Sequence, residues 1–66
     1  MEINRIKAVL AESGKKNKWL SAKMRLNEAT VSKWCTNASQ PSLKTLKEIA
    51  KVLGVDIREL LNQTKN

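Results

Sequence analysis

A chain of 66 residues that contains one cysteine, Cys35, and no histidine must hold its fold with apolar side chains alone. No disulfide can close within it, and no Cys/His metal site can be assembled. A domain this small is close to the size at which a single core gives only marginal stability. Economical helical packing, or pairing with a second subunit, is what remains.

The pattern of the chain supports helices. Ile3, Ile6, Val9 and Leu10 recur at helical spacing, and Gly14 follows as a residue suited to a left-handed stop, which predicts a first helix over about 2–13. Asn17 is placed to cap a short second helix over 18–24, whose Leu20 and Met24 lie one turn apart. Arg25, Leu26 and Asn27 then form a turn. With Asn27 as the next cap, Leu26 and Val31 stand in the relation of a hydrophobic staple, and Glu28 falls in the first turn, where a negative charge suits the helix dipole. The third helix is expected over 28–35, so two short helices joined by three residues read as a helix-turn-helix.

Residues 36–41 are polar and turn-rich and form the longest loop. Ser42 should cap a fourth helix whose buried face is Leu43, Leu46, Ile49, Ala50 and Leu53, and which Gly54 stops. Asp56 then caps a fifth helix with Glu59 at the third helical position, as in a capping box, and Val55 and Leu60 make a second staple. Residues 62–66 read as a frayed tail beyond a core spanning 3–61. The expectation is one all-α domain of five helices, with no repeat, linker or strand. Trp34, in register with Val31, is expected in the core and Trp19 at its edge. Cys35 reads as a small buried residue.

Charge supplies the first functional constraint. Thirteen Lys and Arg face six Asp and Glu, giving +7 and a pI near 10.0. Residues 15–33 hold Lys15, Lys16, Lys18, Lys23, Arg25 and Lys33 against Glu28 alone, a net +5 of that total. A concentrated patch of this kind implies a polyanionic partner. Catalysis is poorly provided for, since His and Tyr are absent and Cys35 has no base beside it in sequence. The opening MEINRIKAVL interrupts its apolar residues with Arg5 and Lys7, unlike a signal peptide, and no apolar run approaches a membrane span. These features point to a cytoplasmic protein that is not an enzyme, with no cofactor, metal or small-molecule ligand.

Two stretches carry a family resemblance. "NKWLSAKMRLNEATVSKW" resembles the helix-turn-helix unit, and "QPSLKTLKEIAKVLGVDIRELL" the closing helices, of the phage repressor and Cro-like (XRE-like) DNA-binding family. The likeness runs from Arg5 to Leu61. It implies the compact five-helix lambda-repressor-like fold, with the third helix entering the DNA major groove and subunits pairing on near-palindromic double-stranded operators. The homodimer would form through the fifth helix and the loop before the fourth, in solution or only on DNA. One departure concerns Arg25, which stands where the family usually has glycine because the turn needs a positive φ.

The side chains of the third helix that do not point inward are then the expected base readers: Asn27, Glu28, Ala29, Ser32 and Lys33. Glu28 can accept from a cytosine amino group, Lys33 can donate to guanine, and Ala29 can touch a thymine methyl. Asn27 and Glu28 also have plain structural uses, as cap and dipole partner. Phosphate contacts are expected from Asn17 with the free amides at the start of the second helix, from Lys16, Lys18 and Arg25, and from Thr36, Asn37 and Ser39 in the loop. A protein-binding module on the same fold, an antitoxin or antirepressor, is the alternative to a transcriptional regulator.

Overall fold

The computed structural model describes residues 3–62. It contains four α-helices, α1 (Ile6–Glu12), α2 (Asn17–Met24), α3 (Glu28–Cys35) and α4 (Leu43–Leu53), followed by a single 3₁₀ turn, Ile57–Leu60. The expected fifth α-helix is therefore corrected to one short turn. Its capping box forms as anticipated, with Asp56 accepting the Arg58 amide and Glu59 accepting the Asp56 amide. The Arg58 guanidinium also binds the Asp56 carboxylate and holds its pKa below the ordinary 3.8. The helix cannot propagate, because Leu61 turns extended at φ −115° and ψ 142° and pairs antiparallel with Asn4.

The same pairing shortens α1. Arg5 N–H donates to the Leu60 carbonyl at 2.8 Å and Asn62 N–H to the Ile3 carbonyl at 2.9 Å, so residues 3–5 are drawn into an extended segment. Helix formation begins only at Ile6, not near residue 2. Ile3 consequently leaves the apolar face of α1 and is 53 % exposed. Asn62, expected to fray, is held by this bond, and residues 63–66 of the expected tail lie outside the described residues.

The stops of α1, α2 and α4 each have an identifiable cause. Gly14 takes φ +70° just beyond α1, and Gly54 takes φ +70° at the end of α4. Arg25 adopts φ 56° and ψ 44° and ends α2, with Leu26 N–H returning to the Ser21 carbonyl. Left-handed backbone costs a non-glycine L-residue about 1–2 kcal/mol. Arg25 bears that strain, and the glycine-type turn is retained. Arg25→Gly is accordingly expected to raise stability by about 1 kcal/mol, the relieved strain outweighing the added chain entropy of glycine. Urea unfolding of the two proteins checks this; an unchanged or lower midpoint contradicts it.

The core joins Ile6, Val9 and Leu10 of α1, Leu20 of α2, Val31, Trp34 and Cys35 of α3, Leu46, Ile49 and Ala50 of α4, and Leu60. Trp34 is buried and Trp19 packs, half-buried, at the core's edge, as their sequence positions imply. Leu43, the first residue of α4, is a correction: it stays 69 % exposed while Leu46 and Ile49, one and two turns on, are buried. Leu26 is also exposed, which leaves its side of the expected staple with Val31 outside the core.

A polar cluster fastens the start of the chain to the loop after α3. Asn4 is buried, yet every polar group of its side chain is used. Its Nδ2 donates to the Trp34 carbonyl at 2.9 Å and to Gln40 Oε1 at 2.8 Å, and its Oδ1 accepts the Ile6 amide at 3.0 Å. Asn37 completes the cluster from a left-handed conformation, φ 63°, accepting the Ile3 and Asn4 amides on Oδ1. Asparagine tolerates that backbone better than most residues.

Candidate nucleic-acid interface

The expected reading helix is built as the sequence implies. Asn27 is its N-cap, with Oδ1 accepting the Ala29 amide at 2.7 Å, and Glu28 occupies the first turn. Val31, Trp34 and Cys35 point into the core, which leaves Asn27, Glu28, Ala29 and Lys33 exposed and Ser32 half-buried on the outward side. One continuous strip therefore carries an amide, a carboxylate, a methyl, a hydroxyl and an ammonium group. Such a set can match the donor, acceptor and methyl pattern of base edges in the major groove.

α2 packs more extensively against α3 than any other pair of elements, and Glu28 at the start of α3 lines the same concavity as the start of α2. Here the expected cap is corrected. Lys16 is the N-cap of α2, in extended backbone and without a side-chain cap bond, and Asn17 is the first helical residue. Asn17 does not bond back to its own helix because its Oδ1 accepts from the Cys35 thiol, Sγ lying 3.2 Å away. With no side chain capping it, the start of α2 is suited to an anion.

Around this helix start lies an open concavity of about 520 Å³ whose polar lining includes Lys7, Lys15, Lys16, Asn17, Lys18 and Glu28. Four lysines from two elements and the turn between them thus converge on one helix N-terminus. Lys15 and Lys23 also approach the Trp19 ring, with Nζ 5.0 and 5.8 Å from its centroid, within the range of cation–π attraction. The Lys15 to Lys18 group was visible as a charge cluster in the sequence. Lys7 was not: it lies eight positions earlier on the outer face of α1, and only the packing of α1 brings it here. Burial raises the Cys35 thiol pKa, and the Lys7 charge offsets part of that rise.

The remaining expected phosphate residues divide. Arg25, Thr36 and Ser39 are exposed on the turn after α2 and the loop after α3. Thr36 Oγ1 donates to the Lys33 carbonyl, and the Ser39 amide donates to the same oxygen. Asn37, by contrast, is occupied by the Asn4 cluster, since its Oδ1 takes three donors and its Nδ2 donates to the Asn4 carbonyl. Among the described residues no group of three or more metal-binding side chains occurs, and no helix is long and apolar enough to cross a membrane.

Residues 5–65 match the Cro/C1-type HTH DNA-binding domain family, essentially the whole described chain. The chain belongs to the Cro/C1-type helix-turn-helix family. As a Cro/C1-type domain it is a DNA-binding module, with α2 and α3 as its helix-turn-helix. Its fold is also similar to the crystal structure of a candidate DNA-binding protein from Bacteroides fragilis, at 52 % identity and a TM-score of 0.90. That likeness covers 94 % of this chain and 100 % of the other. No curated protein sequence matches the Cro/C1-type chain.

Proposed function

We propose that this Cro/C1-type domain is a sequence-reading transcriptional regulator, acting as a repressor in the cytoplasm and not as an enzyme. In this reading α3 lies in the major groove, where Glu28 and Lys33 make the discriminating base contacts with Asn27, Ala29 and Ser32 beside them. Lys7, Lys15, Lys16, Lys18 and Asn17 hold the phosphate backbone at the start of α2, and Arg25, Thr36 and Ser39 hold it nearby. Asn37 is assigned to the Asn4 cluster instead. The reading includes a homodimer on a near-palindromic operator, which membership of the Cro/C1-type family supports.

The observation that carries the proposal is the placement of the outward strip of α3 beside a lysine-lined helix N-terminus. Base reading needs the former, and register on the duplex is fixed by contacts of the latter kind. The phosphate part is tested by the salt dependence of DNA binding. Each phosphate neutralised contributes about 0.9 to the slope of log K against log salt. Joint replacement of Lys16 and Lys18 by alanine should therefore flatten that slope by about 2. An unchanged slope would remove these lysines from the interface. Binding that shows neither salt dependence nor sequence preference would favour the protein-binding module, an antitoxin or antirepressor.

A further inference from the structure

Asn17 is the one expected phosphate ligand whose side chain is held by another helix. Its Oδ1 accepts from Cys35 Sγ, on the last residue of α3, across a distance of 3.2 Å. A side-chain amide has two ends of opposite polarity, and a phosphate tolerates only the donor end. Asn17 lines the lysine-rich concavity, whereas Cys35, 6 % exposed, is not part of its lining.

We propose that Cys35 is a positioning residue for phosphate binding: its thiol engages Asn17 Oδ1 and so leaves Asn17 Nδ2, a donor, directed to the concavity at the start of α2. The inference rests on the reading of Asn17 as a phosphate contact and adds a residue that touches no DNA itself. The thiol can donate only while protonated, and burial raises its pKa, which keeps the proton in place at neutral pH. The contact also links the end of the reading helix to the backbone anchor, so the two parts of the interface are held in one geometry. A free asparagine would have to be ordered, and turned the right way, each time DNA binds.

The test is a double-mutant cycle measured with a fluorescein-labelled mixed-sequence DNA duplex at low salt, since phosphate contacts do not depend on base sequence. Cys35→Val removes the donor while keeping an apolar side chain, Cys35→Ala removes it with less bulk, and Cys35→Ser keeps a donor. Thermal unfolding of each protein identifies any variant that is not folded at the assay temperature. Cys35→Val and Cys35→Ala should weaken binding about 3- to 10-fold, the span of one net hydrogen bond, while Cys35→Ser stays within about 2-fold of wild type. In an Asn17→Ala background the Cys35 substitutions should have no further effect.

Cys35→Val or Cys35→Ala binding like wild type, while Asn17→Ala binds more weakly, overturns the inference and leaves the phosphate reading standing. Weakening that persists undiminished in the Asn17→Ala background overturns it too, since Cys35 would then act only through the fold. Asn17→Ala binding like wild type removes the phosphate reading of Asn17 itself, and the inference with it.

Discussion

Asn4→Ala is expected to lower folding stability by about 3 kcal/mol, enough to leave a domain of this size largely unfolded at 37 °C. The substitution removes one side chain and strands three partners, the Ile6 amide, the Trp34 carbonyl and the Gln40 amide oxygen. The Trp34 contact lies in a buried setting, where water cannot replace the lost bond, and an unsatisfied buried group costs about 1–3 kcal/mol by itself. The loop after α3 would also lose its side-chain tie to Asn4 through Gln40, while the backbone amide and carbonyl of Asn4 that bind Asn37 remain in the alanine variant. Urea unfolding followed by Trp fluorescence measures the effect, Trp34 being buried beside the affected carbonyl. A loss below about 1 kcal/mol would show that the cluster is a surface ornament of the fold and not one of its fasteners.

Lys33→Ala is expected to weaken binding to a preferred duplex about 5- to 150-fold, equivalent to the 1–3 kcal/mol of one good base contact, and to relax base preference at one position. Lys33 is exposed in the last turn of α3, and its backbone carbonyl, not its side chain, supports the loop that follows. Stability should therefore stay within about 0.5 kcal/mol, as for an ordinary surface substitution. Lys7→Ala is the informative contrast. It should weaken preferred and mixed-sequence duplexes alike, because a phosphate contact carries no base information. Titration of each variant against both duplexes separates the cases, and equal loss on the two for Lys33→Ala would reassign that residue to the backbone.

How far the chain could be read before its structure was known follows the range of the interactions involved. The caps Asn27 and Ser42 were legible because each binds an amide two or three residues ahead, and such bonds leave a mark in local sequence. The Asp56 and Glu59 capping box was legible for the same reason. Asn4 was not, since two of its side-chain partners lie 30 and 36 positions away. The N-terminus of α1 and the extent of the closing turn are not legible locally, because one antiparallel pairing between Asn4 and Leu61 truncates both. Periodicity identifies the side of α4 that faces the core but not how far along the helix that side is covered, and Leu43 at its first turn is exposed.

The candidate interface divides along the same line. The outward residues of α3 follow from which positions are apolar, and the cluster from Lys15 to Lys18 is contiguous. Lys7 joins it only through the packing of α1, and the Cys35 bond to Asn17 spans 18 positions between two helices. The residue type of Asn17 and its place before an apolar helix both suit a cap. Its oxygen had a tertiary partner instead.

The most direct test of the central claim is selection from a random duplex DNA pool with the purified protein, followed by sequencing of the bound fraction. Enrichment of a short near-palindrome, lost or relaxed at one symmetric position with Lys33→Ala, is the predicted result. Salt-dependent retention of DNA with no enriched sequence would contradict it, leaving a basic helix-turn-helix that binds DNA without reading it.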